Sequence, residues 1–389
     1  MRSRTKKILA ATLAVGLVAG GYLVFAARDN LALTPAGTAV APLAPATAAP
    51  SVSLPVAAST ATAVTALSAT PLPASTPANA TATSSWPDLG QVVNDLLAQK
   101  WAGTQRITVL VMGVEHRQGD TTKAFQSDTM MLISVDPVAK TIVMLSIPRD
   151  LWVEIPGSGS YKIDEANFIG DAYHARGGGP GLAVRTVEQN FKINIDYYFR
   201  LDFTAFETLI DAIGGIDIVN PTAISDPTYP DGSLGYEPFY LSAGPHHLNG
   251  HDALRYARTR HGSTDIVRAQ HQQQVIMAVR DKVLNLNLLP SLVAQAPLLY
   301  SQLNQSIATD LTLQQMIQLA VLGQDVPQNQ IQSVVIDYNY VENGVEPGSA
   351  GQPPQDVLIP NWDRINELLN RVMPQTPQVG ARSPVLSRP

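Results

Sequence analysis

Three apolar runs carry the secondary-structure signal of this chain: residues 106–114 (RITVLVMGV), 129–136 (TMMLISVD) and 141–147 (TIVMLSI). Their length and β-branched content predict strands, and their near-continuous hydrophobicity predicts burial on both faces, as in a sheet sandwiched between helices. Asp136-Pro137 and the three residues after it predict a hairpin-like turn between the second and third runs. Further on, Gly177–Gly181 introduces a helix over 182–191, residues 196–201 form a strand, and an amphipathic helix over 202–213 stops at Gly214-Gly215, the favoured C-cap residue type. The longest helix is predicted over 265–286. Helices near 288–303 and 312–322, a strand at 331–337 and a final helix at 362–372 follow it. No repeat of fixed period is present.

A different pattern precedes these elements. Arg2, Arg4, Lys6 and Lys7 stand before a charge-free apolar run over residues 8–27, long enough to span a bilayer as a helix rising about 1.5 Å per residue. Basic residues ahead of the span predict that residues 1–7 stay cytoplasmic and all later residues are exported. The expectation is a single-pass cell-membrane protein with its C-terminal domain outside the cytoplasm. A cleaved signal peptide ending near Ala26-Ala27 is the alternative, and the length of the run favours a retained anchor. Residues 28–87 are rich in Ala, Pro, Thr and Ser, with no charged residue from Asn30 to Pro87. Such a segment has too little large apolar side-chain area to fold and reads as a disordered spacer. The folded domain is expected over 88–373 and a disordered tail over 374–389.

Composition narrows the chemistry. The chain has no cysteine, which excludes disulfides, thiolate metal sites and a cysteine nucleophile. Its formal charge is −6; without the four basic residues ahead of the anchor, 22 Lys and Arg face 32 Asp and Glu, a balance of −10. That sign argues against a nucleic-acid partner.

Within this acidic domain one stretch gathers arginines, residues 257–274 (ARTRHGSTDIVRAQHQQQ). Arg258 and Arg260 lie two apart, so in an extended segment both leave one face. Ser263, Thr264 and Asp265 are helix-capping types, and Arg268 and Gln272 then fall on one helical face. A short turn brings three guanidiniums and an amide together, a cluster suited to a phosphate or pyrophosphate through forked hydrogen bonds. The competing reading is a solvated face with ordinary ion pairs. Asp128 opens the second strand and Arg149 follows the third, so a hairpin places them side by side; that is either a simple ion pair or a fourth guanidinium with a metal-capable carboxylate.

In combination, VMGVEHR from Val111, SDTMMLISVDP from Ser127, SIPRDLWVEIPG from Ser146, YKIDEAN from Tyr161, DYYFRLDFTAFETLIDAIGGIDI from Asp196 and LNGHDALRYARTRHGSTDIVRAQHQQQ from Leu248 resemble the LytR–CpsA–Psr family of bacterial cell-wall enzymes. The resemblance covers nearly the whole domain and implies an α/β fold, a three-layer α-β-α domain with a central mixed sheet and an apolar pocket for a polyprenyl chain. The implied activity is phosphotransfer of a glycopolymer from a polyprenyl-pyrophosphate lipid at the cytoplasmic membrane onto a peptidoglycan acceptor. By position, Arg149, Arg258, Arg260, Arg268 and Gln272 match pyrophosphate-binding residues, and Arg117 matches an arginine near the entrance strand. Asp128 matches the carboxylate associated with Mg²⁺, with Glu115 as a second candidate ligand. Catalysis is expected of Asp128, Arg149, Arg258 and Arg260, with Asp128 as metal ligand or as base toward the acceptor hydroxyl. Departures are Glu115 and Asp164 where the family commonly has Asp and Asn, Gln126 where an Arg often stands, and no second arginine over 151–153. The alternatives are a lipid pyrophosphatase with water as acceptor and a non-catalytic wall-polymer or lipid-binding protein.

Other candidates are weaker. His246, His247 and His251 lack zinc-site spacing and read as loop or core histidines. Gly177–Gly181 lacks the Lys-Ser/Thr of a P-loop and reads as a flexible loop. Whether the apolar residues of 275–303 line a lipid pocket or fill a core is not decided by periodicity.

Overall fold

The computed structural model describes residues 89–116, 124–231, 235–260, 264–346 and 354–374. The expected anchor and spacer, nearly all of the expected tail, and Arg117 lie outside the described residues. Among those described, no helix is long and apolar enough to cross a membrane.

Helix α1 (Leu89–Ala98) precedes strands β1 (Ile107–Val114), β2 (Ser127–Asp136) and β3 (Thr141–Ile147). A hairpin, β4 (Trp152–Ile155) and β5 (Gly159–Lys162), leads to helices α2 (Glu165–Ala172) and α3 (Gly178–Phe191), then β6 (Tyr197–Asp202) and α4 (Phe203–Ala212). Short strands β7 (Ile216–Asn220), β8 (Ile224–Asp226), β9 (Phe239–Leu241) and β10 (Gly244–Leu248) are followed by α5 (Gly250–Arg258), α6 (Asp265–Asn285) and α7 (Leu289–Leu303). The chain continues through β11 (Ile307–Thr309), α8 (Leu313–Gln324), β12 (Ile331–Val335), the hairpin β13 (Val341–Glu346) and β14 (Gln355–Pro360), and α9 (Trp362–Val372).

The centre is a six-stranded mixed sheet in the order β11-β6-β1-β2-β3-β12. Pairs β1–β6 and β3–β12 are parallel, and β1–β2, β2–β3 and β6–β11 antiparallel. The predicted turn after Asp136 is confirmed: its carboxylate accepts from the Val138 and Ala139 amides. Side chains alternate across the pleat. Leu110, Met112, Leu132, Leu145 and Ile147 leave one face and pack with Leu182 and Val187 of α3 and Ile365 and Leu368 of α9. From the other face, Val109 and Phe199 meet Met316 of α8, while Met131, Val135 and Met144 meet Ile276 and Met277 of α6. Strands β1, β2 and β3 bury both faces, which is why their sequences read as continuous rather than alternating hydrophobicity.

Two expectations need correction. Gly177–Gly181 is not a flexible loop, because Gly178–Gly181 form the first turn of α3. Gly179 carries no Cβ where one would strike the Asn167 carbonyl of α2, and its amide donates to Asp171 Oδ1 at 2.6 Å. Arg258 is not in an extended segment, since it is the last residue of α5, a helix whose N-cap, Asn249, accepts from the Asp252 amide. The backbone leaves the helix at Thr259.

Gln273, on α6, fixes this helix to the sheet. It is only 4% exposed, and its Nε2 donates to Ser146 Oγ of β3 at 2.9 Å and to the Val334 carbonyl of β12 at 2.8 Å. Replacing it with leucine strands two buried polar groups, with a cost of about 1–3 kcal/mol. Gln273→Leu is therefore expected to lower the urea midpoint clearly; an unchanged midpoint would show that the helix is held by apolar packing alone.

Candidate functional site

The C-terminal ends of β1, β3, β6 and β12 and the start of β2 fall along one edge of the sheet. The β2–β3 register pairs Met130 with Ile147, so Asp128 and Arg149 emerge side by side. Arg149 Nη1 lies 2.5 Å from Asp128 Oδ1, and its Nε lies 3.6 Å from Asp150 Oδ2. Burial opposes the Arg149 charge, yet Asp128 and Asp150 outweigh it and hold the guanidinium above its ordinary range.

Arg258 reaches the same edge from the end of α5. Its guanidinium carbon stands 4.0 Å from the Phe203 ring centroid, Nη1 donates to the Tyr229 hydroxyl at 3.1 Å, and Nη2 lies 3.3 Å from Glu115 Oε2. Arg260 follows that helix, and Arg268 lies on the first turns of α6, which Thr264 caps. Both converge on Asp265: Arg260 Nε at 3.3 Å and Arg268 Nη1 at 3.1 Å from the same carboxylate oxygen. Arg268 Nη2 also donates to the Asp128 carbonyl at 3.4 Å, and Gln272 Nε2 to the Ala257 carbonyl at 3.3 Å. Burial pulls the Arg268 guanidinium down to about 10; Asp265 resists this, and the charges of Arg260 and Arg149 add to it. Its charge is thus undercompensated, and a further anion nearby would stabilise it.

Glu115, Asp128, Arg149, Arg258, Arg260, Arg268 and Gln272 all line one cavity of about 900 Å³. The guanidiniums expected to cluster for a phosphate already have acidic partners. Each faces a carboxylate: Arg149 with Asp128, Arg258 with Glu115, and Arg260 and Arg268 with Asp265. These pairs do not fill the cavity. Its floor is the sheet (Val111, Met131, Ile133, Phe199, Leu201) and its walls are Phe206, Leu209 and Ile210 of α4 and Val275, Ile276 and Val279 of α6. An apolar body with a basic mouth at one end suits an amphipathic ligand, and the volume is at the upper end of the roughly 300–1,000 Å³ of small-molecule sites. Periodicity left the role of 275–303 open; Val275, Ile276 and Val279 of α6 line the cavity, whereas Ala278 and Val283 of α6 and Leu292, Leu299 and Leu303 of α7 fill cores.

Reasoning from sequence missed Phe203, Tyr229 and the clamping role of Asp265. The last was legible, because an acid at i−3 from Arg268 and five residues after Arg260 is placed to pair with both. Phe203 and Tyr229 come from distant segments, and no local spacing announces them. Of the three histidines, His247 pairs with Asp217 and His251 with Glu207 and Glu237, whereas His246 faces Ser242.

Among the described residues no three His, Asp or Glu are grouped to hold a metal alone. Of the acids lining the cavity, Asp202 caps α4 and pairs with His116, and Asp226 accepts from Thr259. Asp128 and Glu115, each facing an arginine, are the cavity's other acids, and their hard oxygens are the donor type a Mg²⁺ ion would take.

An α/β domain with an arginine-rimmed apolar cavity at a sheet edge is the class of protein that fold and site define. The chain belongs to the LytR_cpsA_psr family, whose model matches residues 76–358. It is 34% identical over 229 residues to the polyisoprenyl-teichoic acid–peptidoglycan teichoic acid transferase TagU of Oceanobacillus iheyensis, covering 58% of this chain and 64% of that protein. It is 35% identical over 192 residues to the corresponding transferase TagT of Bacillus subtilis, covering 49% of this chain and 56% of that protein. The chain thus matches less than two thirds of the length of these relatives. The structure of TagT bound to LIIa-WTA superposes with a TM-score of 0.52 at 26% identity, covering 71% of this chain and 92% of that one.

Beneath the edge lies Asp164, 3% exposed, with one carboxyl oxygen lacking a hydrogen-bond partner. Burial, aided by Glu165, raises it to about 7 against the pull of Arg149. The unfolded chain releases this proton near the ordinary carboxylate range, while the folded chain keeps it until about 7, so stability falls as pH rises across that window. Asp164→Asn is expected to remove most of the fall and to gain on the order of 1–4 kcal/mol at alkaline pH. Urea denaturation at pH 5 and pH 8 checks this; an identical pH dependence in both proteins would exonerate Asp164.

Proposed function

We propose that this protein transfers a glycopolymer from a polyprenyl-pyrophosphate carrier onto peptidoglycan at the outer face of the cytoplasmic membrane. The observation that carries the reading is a single cavity with an apolar body and a rim of Arg149, Arg258, Arg260 and Arg268. A polyprenyl diphosphate has the same two parts. The transferase activity for which TagU and TagT are named, and the complex of TagT with LIIa-WTA, support the same class of substrate.

On this reading the polyprenyl chain occupies the space above Val111, Met131 and Phe199, and the arginines exchange part of their carboxylate contact for the pyrophosphate. Each arginine has five N–H donors and uses only some of them internally, so forked contacts to phosphate are still available. Phosphoryl transfer needs positioning and charge compensation more than covalent participation. A peptidoglycan hydroxyl forms a new O–P bond at the sugar-linked phosphorus, the P–O bond to the polyprenyl phosphate breaks, and the hydroxyl proton leaves with that phosphate. Asp128 and Glu115 are the residues that would hold Mg²⁺, which when bound offsets charge on the pyrophosphate oxygens. Everything else rests on the arginines: Arg268, already short of counter-charge, gains most from the arriving anion.

Incubating the protein with a lipid-linked glycan and peptidoglycan tests this reading. Arg258→Ala and Arg268→Ala are expected to lower the transfer rate about 10²–10³-fold with little change in thermal midpoint. A chelator should abolish transfer and added Mg²⁺ restore it, while Asp128→Asn should raise the Mg²⁺ concentration needed. Glycan released equally well without peptidoglycan would make the protein a hydrolase, and lipid binding without turnover would make it a binding protein.

A further inference from the structure

A second cavity, of about 340 Å³, lies on the far side of Arg149. The first turns of α6 form the partition between the two. Arg268 and Gln272 face the large cavity, whereas Ile266 and Ala269, on another side of the helix, face the small one. Arg149 is the one residue lining both. The chemistry of the small cavity is different: beside apolar walls such as Val335, Val341 and Leu358 it carries Asp150, Lys162, Asp265, Asp337, Asn343 and Asp356, with Tyr338 53% exposed. Asp150 is held by Lys162 Nζ at 2.8 Å and by Arg149, so Lys162 has little charge left for an anion. Asp337 and Asp356 add negative charge. A second phosphate would be repelled here, and a prenyl chain would leave the carboxylates and amide unsolvated. Acceptor oxygens, an amide and a half-exposed aromatic ring instead match a ligand with many hydroxyls and a weakly apolar ring face.

We infer that this small cavity seats a sugar ring of the acceptor glycan and presents its hydroxyl past Arg149 to the phosphorus of the donor. The inference rests on the transfer reaction proposed above and assigns the two substrates to opposite sides of one guanidinium. Arg149, with Asp128 on one side and Asp150 on the other, is then the contact through which donor and acceptor meet. Attack from the small cavity forms the new O–P bond while the polyprenyl phosphate departs toward the large one.

The test uses the full chain and two separate probes. Soluble glycan fragments of alternating N-acetylglucosamine and N-acetylmuramic acid report on the small cavity, and geranylgeranyl pyrophosphate on the large one. Tyr338→Ala and Asn343→Ala, both at exposed positions, are expected to weaken fragment binding at least about tenfold and leave pyrophosphate binding unchanged. Unchanged pyrophosphate binding also shows that the variants are folded. Fragment binding equal to wild type in both variants, or no fragment binding by wild type, overturns the inference. So does normal transfer with an unaltered acceptor KM in both variants, and then the transfer reading stands without it. Fragment binding that depends on Tyr338, in a protein that transfers no glycan, has the opposite meaning: the carbohydrate site stands and the proposed reaction falls.

Discussion

Four guanidiniums crowd one edge of the sheet, and like charges at that density are tolerated only where carboxylates offset them. Asp128, Glu115 and Asp265 do so here, each within about ion-pair distance of its arginine. The arrangement is pre-organised: the acids hold the forks toward the cavity in the free protein, so little order has to be imposed when an anion arrives. Compensation is incomplete at Arg268, where burial wins over Asp265. A buried guanidinium left short of counter-charge beside a cavity is the arrangement an anion site would use.

The second constraint is the seat of α6. Gln273 ties it to β3 and β12, so the helix covers that half of the sheet closely. Over β1, β2 and β6 the covering is left to α4, α5 and the later turns of α6, and the space they enclose is the large cavity. One helix therefore sets the width of the apolar chamber, carries Arg268 and Gln272 to its mouth, and walls off the smaller, more acidic cavity beyond.

Much of the framework was legible in the chain. The apolar runs of β1 to β3, the turn after Asp136, the long helix from Asp265 and the last helix over 362–372 are found within a residue or two of expectation. Short hairpins such as β4–β5 and β13–β14 were not, because exposed strands of this kind lack the continuous apolar pattern that marks buried ones. The glycine run before α3 was misjudged for another reason. Glycine ordinarily signals a loop, but close contact with the backbone of α2 requires it inside a helix turn.

The chain by itself determined that Arg258, Arg260, Arg268 and Gln272 share a short segment and that Asp128 and Arg149 share a hairpin, because both relations are local and follow from turn and strand spacing. Only the tertiary structure decided that Arg258 is paired with Glu115, that Phe203 and Tyr229 support it, and that empty space lies between the sheet and α6. Those depend on how segments far apart in sequence approach one another, and side-chain period carries no information about the gap between two packed surfaces.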